Sequence, residues 1–126
     1  GTHTTHVDAV NNDGDTALLL AVRLHNANLV SRLLAAQAYV EAWDKSGLCP
    51  LHLATAAGWV QGVRLLCDQG ADVNARSEQG LTPAMEATRR GQAHCLLELV
   101  SRGADLRLRV PGKERKTLPE LLVEGL

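Results

Sequence analysis

The sequence predicts an all-α fold made by repetition, in which short helix pairs stack along one direction and long polar connections join them. Three observations predict it. Residues recur at a step of 33: Gly14, Gly47 and Gly80; Thr16, Cys49 and Thr82; Leu18, Leu51 and Ala84; Ala21, Ala54 and Ala87. Self-similarity at such a period marks repeat architectures. The 126-residue chain is 45% apolar yet has no phenylalanine, one tyrosine and two tryptophans. Leucine and alanine must supply the core, which suits thin, closely packed helices better than strands favouring Val, Ile, Tyr and Phe. Finally, seven of the eleven glycines (Gly14, Gly47, Gly58, Gly70, Gly80, Gly91 and Gly103) fall on the same step.

Each unit reads as helix, tight turn, helix and connection. The first helix opens at Thr16, Cys49 or Thr82. Thr82-Pro83 joins a capping hydroxyl to a proline at the first helical position, where a missing N–H costs nothing. Thr16-Ala17 keeps the cap and lacks the proline; Cys49-Pro50 does the reverse. Gly58 and Gly91 allow the turn between helices, with His25 in register. The second helix carries an apolar stripe at i, i+1, i+4 and i+5: Leu29/Val30/Leu33/Leu34, Gly62/Val63/Leu66/Cys67 and Cys95/Leu96/Leu99/Val100. Gly70 and Gly103 stop it in the left-handed region, with Gln37 in register. His25 and Gln37, standing where glycine is expected, should each carry a strain of roughly 1 kcal/mol.

Cys49-Pro50-Leu51-His52-Leu53-Ala54, Gly70-Ala71-Asp72-Val73-Asn74-Ala75 and Gly80-Leu81-Thr82-Pro83 resemble the ankyrin repeat motifs TPLHLA, GADVNA and GxTP. The resemblance covers roughly residues 4 to 126. It implies an ankyrin-type solenoid in which helix pairs stack side by side, connections project as β-hairpin fingers, and fingers and first helices form a concave face. Complete repeats are expected at 14–46, 47–79 and 80–112. Residues 1–13 read as a partial finger or a degenerate N-terminal cap. Residues 113–126 read as a C-terminal capping segment, with a closing helix over 117–126 that opens on the Thr117-Leu118-Pro119-Glu120 capping-box pattern; a truncated fourth repeat is the alternative.

Charge and cysteine usage narrow the class. A net charge of −1 gives no global field for nucleic acid or an anionic membrane. Three widely spaced cysteines argue against a disulfide framework and for a reducing compartment. No apolar run is long enough to span a bilayer, and the start lacks a signal-peptide pattern. A soluble protein of the cytosol or nucleus is therefore expected, within a longer polypeptide. Cys49-x-x-His52 and His94-Cys95 invite a metal or nucleophile reading, but no second ligand pair of suitable spacing accompanies them. Structural roles are expected for them, and His3 and His6 fall in a polar terminal stretch. With no phosphate-binding loop, paired acid–base carboxylates or Gly-x-Ser-x-Gly elbow, neither catalysis nor a cofactor is expected. The basic stretch Arg107, Arg109, Lys113, Arg115 and Lys116 reads as a solvated last finger, since no aromatic is interleaved for base stacking.

Binding is expected where the repeat leaves residues unconstrained. Finger tips fall at 10–13, 43–46 and 76–79. Register with the family places Leu20/Arg23/Leu24, Leu53/Ala56/Ala57 and Glu86/Arg89/Arg90 on the groove side of the first helices. The candidate partner-binding residues are Trp43, Asp44, Lys45, Arg76, Glu78, Arg23, Glu86, Arg89 and Arg90. Trp43 leads, because Val10 and Arg76 hold its place in the other fingers, and an exposed tryptophan buries much area with few rotors. Its alternative is to fold back on Tyr39 or a neighbouring finger; Trp59 is expected to pack locally. The expected function is a protein–protein interaction module for a partner protein or peptide, with an apolar anchor near Trp43 and acidic residues toward Arg89 and Arg90. The alternatives are a targeting or inhibitory domain of a larger enzyme or ligase, and an oligomerisation scaffold. Leu66, Asp72 and Val73 ahead of Asn74 fit the pattern of ankyrin asparagine hydroxylation, so the resemblance implies Asn74 as a candidate modification site.

Overall fold

A computed structural model of the chain describes residues 6–111. After a 3-10 turn at His6–Asp8 come six helices: α1 (Ala17–Arg23), α2 (Ala27–Ala35), α3 (Pro50–Ala56), α4 (Val60–Asp68), α5 (Pro83–Arg90) and α6 (Ala93–Ser101). Ala17, Pro50 and Pro83 open the first helices and Ala27, Val60 and Ala93 the second, so the sequence period is the structural period. None of the described helices is long and apolar enough to cross a membrane.

Each pair packs as a hairpin, α1 on α2, α3 on α4 and α5 on α6. Pairs then stack in two layers, α1–α3–α5 and α2–α4–α6. Leu18, Ala21 and Val22, Leu51 and Ala54, and Ala84 and Ala87 fill the first layer; Val30, Leu34, Val63, Leu66, Cys95 and Leu99 meet them from the second. Alanine is buried at 21, 54 and 87, the same register of all three first helices. The stripe of the second helices is buried through the middle of the stack and open at its margins: Leu29 and Val100 stay exposed while Gly62, Cys95 and Leu34 at the same register are buried.

The caps follow the sequence. Thr16 Oγ1 accepts from the Leu19 amide and Thr82 Oγ1 from the Met85 amide, both at 3.2 Å. Cys49 makes no such bond. The turns between helices carry φ of +53° at His25, +74° at Gly58 and +71° at Gly91, and each is followed by a bond back to an alanine carbonyl: Asn26 to Ala21, Trp59 to Ala54 and Gln92 to Ala87. The second helices end the same way at Gln37, Gly70 and Gly103. Both non-glycines therefore do occupy the left-handed conformation.

The projecting fingers are tighter than hairpins of paired strands. Among the described residues no strand forms, and pairing is limited to single bridges such as Val10 with Thr16. Each finger is closed by two backbone bonds: the amides of Asn11, Asp44 and Ser77 donate to Asp15 O, Leu48 O and Leu81 O, and those of Gly14, Gly47 and Gly80 donate back to Asn11 O, Asp44 O and Ser77 O. The closing helix expected over 117–126 lies outside the described residues, as do Lys113, Arg115, Lys116 and His3.

Candidate functional site

Fingers and first helices are tied to one another from unit to unit, and these ties decide which side chains are left for a partner. The finger begins on a polar residue whose side chain accepts amides of its own turn. Asn11 Oδ1 takes the amides of Asp13 and Asp15, Asp44 Oδ1 those of Ser46 and Leu48, and Ser77 Oγ that of Leu81. A second series links neighbours: Asp8 Oδ1 accepts from the Tyr39 amide, Glu41 Oε2 from Asp72 and Asn74 Oδ1 from Asp105, at 2.8 to 2.9 Å. Fingers also stack edge to edge, with the Glu78 amide bonded to Gly47 O and Gln79 Nε2 to Ser46 O.

Two residues expected at the binding surface are corrected by this geometry. Asp44 is only 7% exposed. Its carboxylate is used by the turn amides and by the Arg23 guanidinium. Burial alone would raise the Asp44 carboxyl, but the Leu48 amide, Arg23 and the Ser46 amide outweigh it and hold it below the ordinary value. Glu86 is fully buried. Its carboxylate accepts from Arg89 Nη2 at 3.0 Å and Arg90 Nε at 2.9 Å. A side chain can face the groove by helical register and still turn its charge beneath its own arginines, because an unpaired buried carboxylate is prohibitive.

The other candidates divide by how far they are already engaged. Arg23 bridges Asp15 and Asp44 and so ties the first finger to the second. Arg76 Nη1 donates to the carbonyls of Gly80 and Arg109. The Glu78 side chain packs on Gly47, where an added Cβ would meet it at 2.3 Å. Asn74 is held from both sides, its amide on Asp72 Oδ1 and its own Oδ1 on the Asp105 amide. Lys45 is exposed, and among the described residues it has no bonded partner. Arg89 and Arg90 remain about half exposed beyond their bonds to Glu86.

Trp43 is 51% exposed on the second finger, and its equivalent Val10 is exposed on the first. Trp59 behaves differently: its ring lies over Gly62 and stacks on His25, with centroids 4.9 Å apart and planes 8° from parallel. The open face of the first helices holds a shallow hollow of about 290 Å³ bordered by Val22, Arg23, His25, Leu53, Ala56, Ala57 and Arg90. Its floor is small and apolar, and Arg90 closes one end.

Cysteine chemistry is held down by burial. Cys49 Sγ lies 2.8 Å from His52 Nδ1, while His52 Nε2 binds the Leu81 carbonyl at 2.8 Å. Desolvation pushes the Cys49 thiol up to about 11 and lowers His52. A nucleophilic cysteine needs the opposite, a stabilised thiolate. The pair instead links α3 to the third finger. No group of three or more metal-ligating side chains occurs among the described residues.

Comparison with known proteins agrees with this architecture. The family model for ankyrin repeats in three copies matches residues 3–77 and 40–110. A 61-residue stretch is 48% identical to human ankyrin repeat and KH domain-containing protein 1, covering 48% of this chain and 2% of that protein. The chain is 43% identical over 68 residues to human neurogenic locus notch homolog protein 2, covering 54% of this chain and 3% of that one. Arabidopsis thaliana E3 ubiquitin-protein ligase KEG is 44% identical over 71 residues, 56% of this chain and 4% of its own length. The chain thus matches only a few per cent of the length of these relatives.

Proposed function

The chain belongs to the ankyrin repeat family, and we propose that it is a non-catalytic interaction module holding a partner peptide against its fingers and the α1–α3–α5 face. Trp43 carries the proposal. The scaffold accepts valine or arginine at the same register, yet here a tryptophan stands half exposed. Large apolar side chains left open on a rigid scaffold are typical of anchoring sites. Recognition on such a surface is complementarity of shape and charge, with little rearrangement of the backbone.

Tryptophan fluorescence tests this directly. Trp59 stacks on His25, which borders the hollow, so the change on adding a peptide selected from a random library is read in a Trp59→Phe background, where Trp43 alone reports. Trp43→Ala should weaken the selected peptide by about 2 kcal/mol. Affinity within about 0.5 kcal/mol of the unaltered chain would remove Trp43 as the anchor.

A second reading is a targeting or inhibitory segment of a larger enzyme. It is favoured by the match to a stretch of a ubiquitin-protein ligase. The two readings share the surface and differ in whether the bound peptide belongs to another protein or to the same polypeptide.

A further inference from the structure

The two ends of the inner helix layer carry opposite charge clusters. At α1 a single arginine, Arg23, is shared by Asp15 and Asp44, leaving one net negative charge. At α5 a single carboxylate, Glu86, is shared by Arg89 and Arg90, leaving one net positive charge. Between them α3 and its C-cap offer Leu53, Ala56 and Ala57, all neutral.

The α5 cluster is not something the repeat needs. Leu20 and Leu53 stand at the register of Glu86, and α3 has Ala56 and Ala57 where α5 has Arg89 and Arg90. A leucine there satisfies the fold, whereas a buried carboxylate must be compensated by both arginines.

We propose that the buried Glu86 presents Arg89 and Arg90 as a receptor for one carboxylate on an acidic residue of a peptide lying along α1, α3 and α5. The proposal rests on the interaction reading above and names the chemistry of its partner. Glu86 takes Arg89 Nη2 and Arg90 Nε. Among the described residues, Nη1 and Nη2 of Arg90 and Nε and Nη1 of Arg89 are left without an acceptor. A flexible surface arginine loses rotamer freedom when it grips an anion; here folding has already fixed one edge of each guanidinium. The Nη1/Nη2 edge of Arg90 is a planar pair of donors suited to a carboxylate, and Arg89 adds single N–H donors beside it. Arg90 borders both the apolar hollow over Ala56 and Ala57 and a polar one shared with Arg89 and Gln92. An acidic residue with a small or apolar neighbour therefore meets complementary surface on both sides. One net positive charge at α5 matches one carboxylate.

The test uses the 126-residue chain and a positional-scanning library of octapeptides carrying Glu, Gln, phosphoserine or Lys at each place. The chain should prefer Glu over Gln at one position by roughly tenfold, the step given by one charge-assisted contact, and the preference should fall as salt is raised. Arg89→Gln with Arg90→Gln should abolish it. Because that variant strands Glu86, a second one, Glu86→Leu with Arg89→Ala and Arg90→Ala, rewrites α5 with the residues of α3 and should fold and bind without acidic preference. Peptide capture with no acidic preference, or with a preference that survives both variants, overturns the receptor alone. Preference for phosphoserine without glutamate overturns the carboxylate assignment. A chain that captures no peptide overturns the interaction reading and the receptor with it.

Discussion

Replacing the two non-glycine residues that hold left-handed turns separates backbone strain from side-chain packing. Gln37 has φ of +69° and His25 +53°. At Gln37 the local bonds match those of the glycine turn: its amide reaches Leu34 O at 3.0 Å and Ala38 reaches Leu33 O at 3.0 Å, as Gly70 and Ala71 reach Cys67 O and Leu66 O. Gln37 is exposed, and its side chain makes no bond among the described residues. Gln37→Gly therefore relieves about 1–2 kcal/mol of left-handed strain, less the ~0.4–1 kcal/mol that glycine returns as freedom of the unfolded chain. The difference, about 0–1.6 kcal/mol with a midpoint near 0.8, raises Tm by roughly 3 °C for a chain of this size. His25→Gly relieves the same strain but loses the stack on Trp59, worth about 0.5–1.5 kcal/mol, so its Tm should hardly move. Thermal melts followed by circular dichroism and by tryptophan fluorescence, with urea titrations to confirm unchanged m, measure both variants. A drop on Gln37→Gly refutes the strain argument. An equal rise for both variants refutes the energetic role of the His25–Trp59 stack.

Thr55 is fully buried and among the described residues its Oγ1 has no hydrogen-bond partner, whereas the same register holds Val22 in α1. Thr55→Val should therefore stabilise by about 1 kcal/mol in urea unfolding, and destabilisation would show that the hydroxyl is bonded after all. Cys49→Thr should restore the cap missing from α3 and gain about 1 kcal/mol by the same measurement. Asn74→Ala should lose about 1 kcal/mol, because the Asp105 amide is left without its acceptor. His52 is lowered from 6.5 chiefly by burial, so the unfolded state binds the proton more readily. Stability due to neutral His52 is intact above pH 6.5 and lost as pH falls below it, giving a downward Tm slope toward pH 5 that His52→Asn should flatten.

Helix positions were legible because they depend on local signals: a cap, an apolar stripe and a glycine, each repeated at 33. Even the strained turns could be placed, since register alone says that His25 and Gln37 must do what glycine does. The finger bonds follow the repeat step too, but residue identity hides them. Asn11, Asp44 and Ser77 keep the repeat step, as do Asp8, Glu41 and Asn74, but the residue type changes while the acceptor function stays. A search for identical residues misses a series in which asparagine, aspartate and serine are equivalent as turn acceptors. Asp44 looked like a free charge at a tip for that reason.

The groove charges were harder, because the sign a partner meets depends on pairing and not on residue type. Arg23 reads as a cation in the sequence. In the structure it is outnumbered by Asp15 and Asp44, one from its own finger and one from the next, so its surroundings carry the opposite sign. Glu86 reads as an anion and lies under two arginines within one helix turn. The i,i+3 and i,i+4 spacing of Glu86, Arg89 and Arg90 was open to a helix-pairing argument. The Arg23–Asp44 contact was not, since it requires the distance between consecutive fingers. Charge at the α5 end is thus set within one repeat and charge at the α1 end between two. Consequently, substitutions on α5 should alter recognition locally, whereas Arg23→Ala should also loosen the first finger from the second.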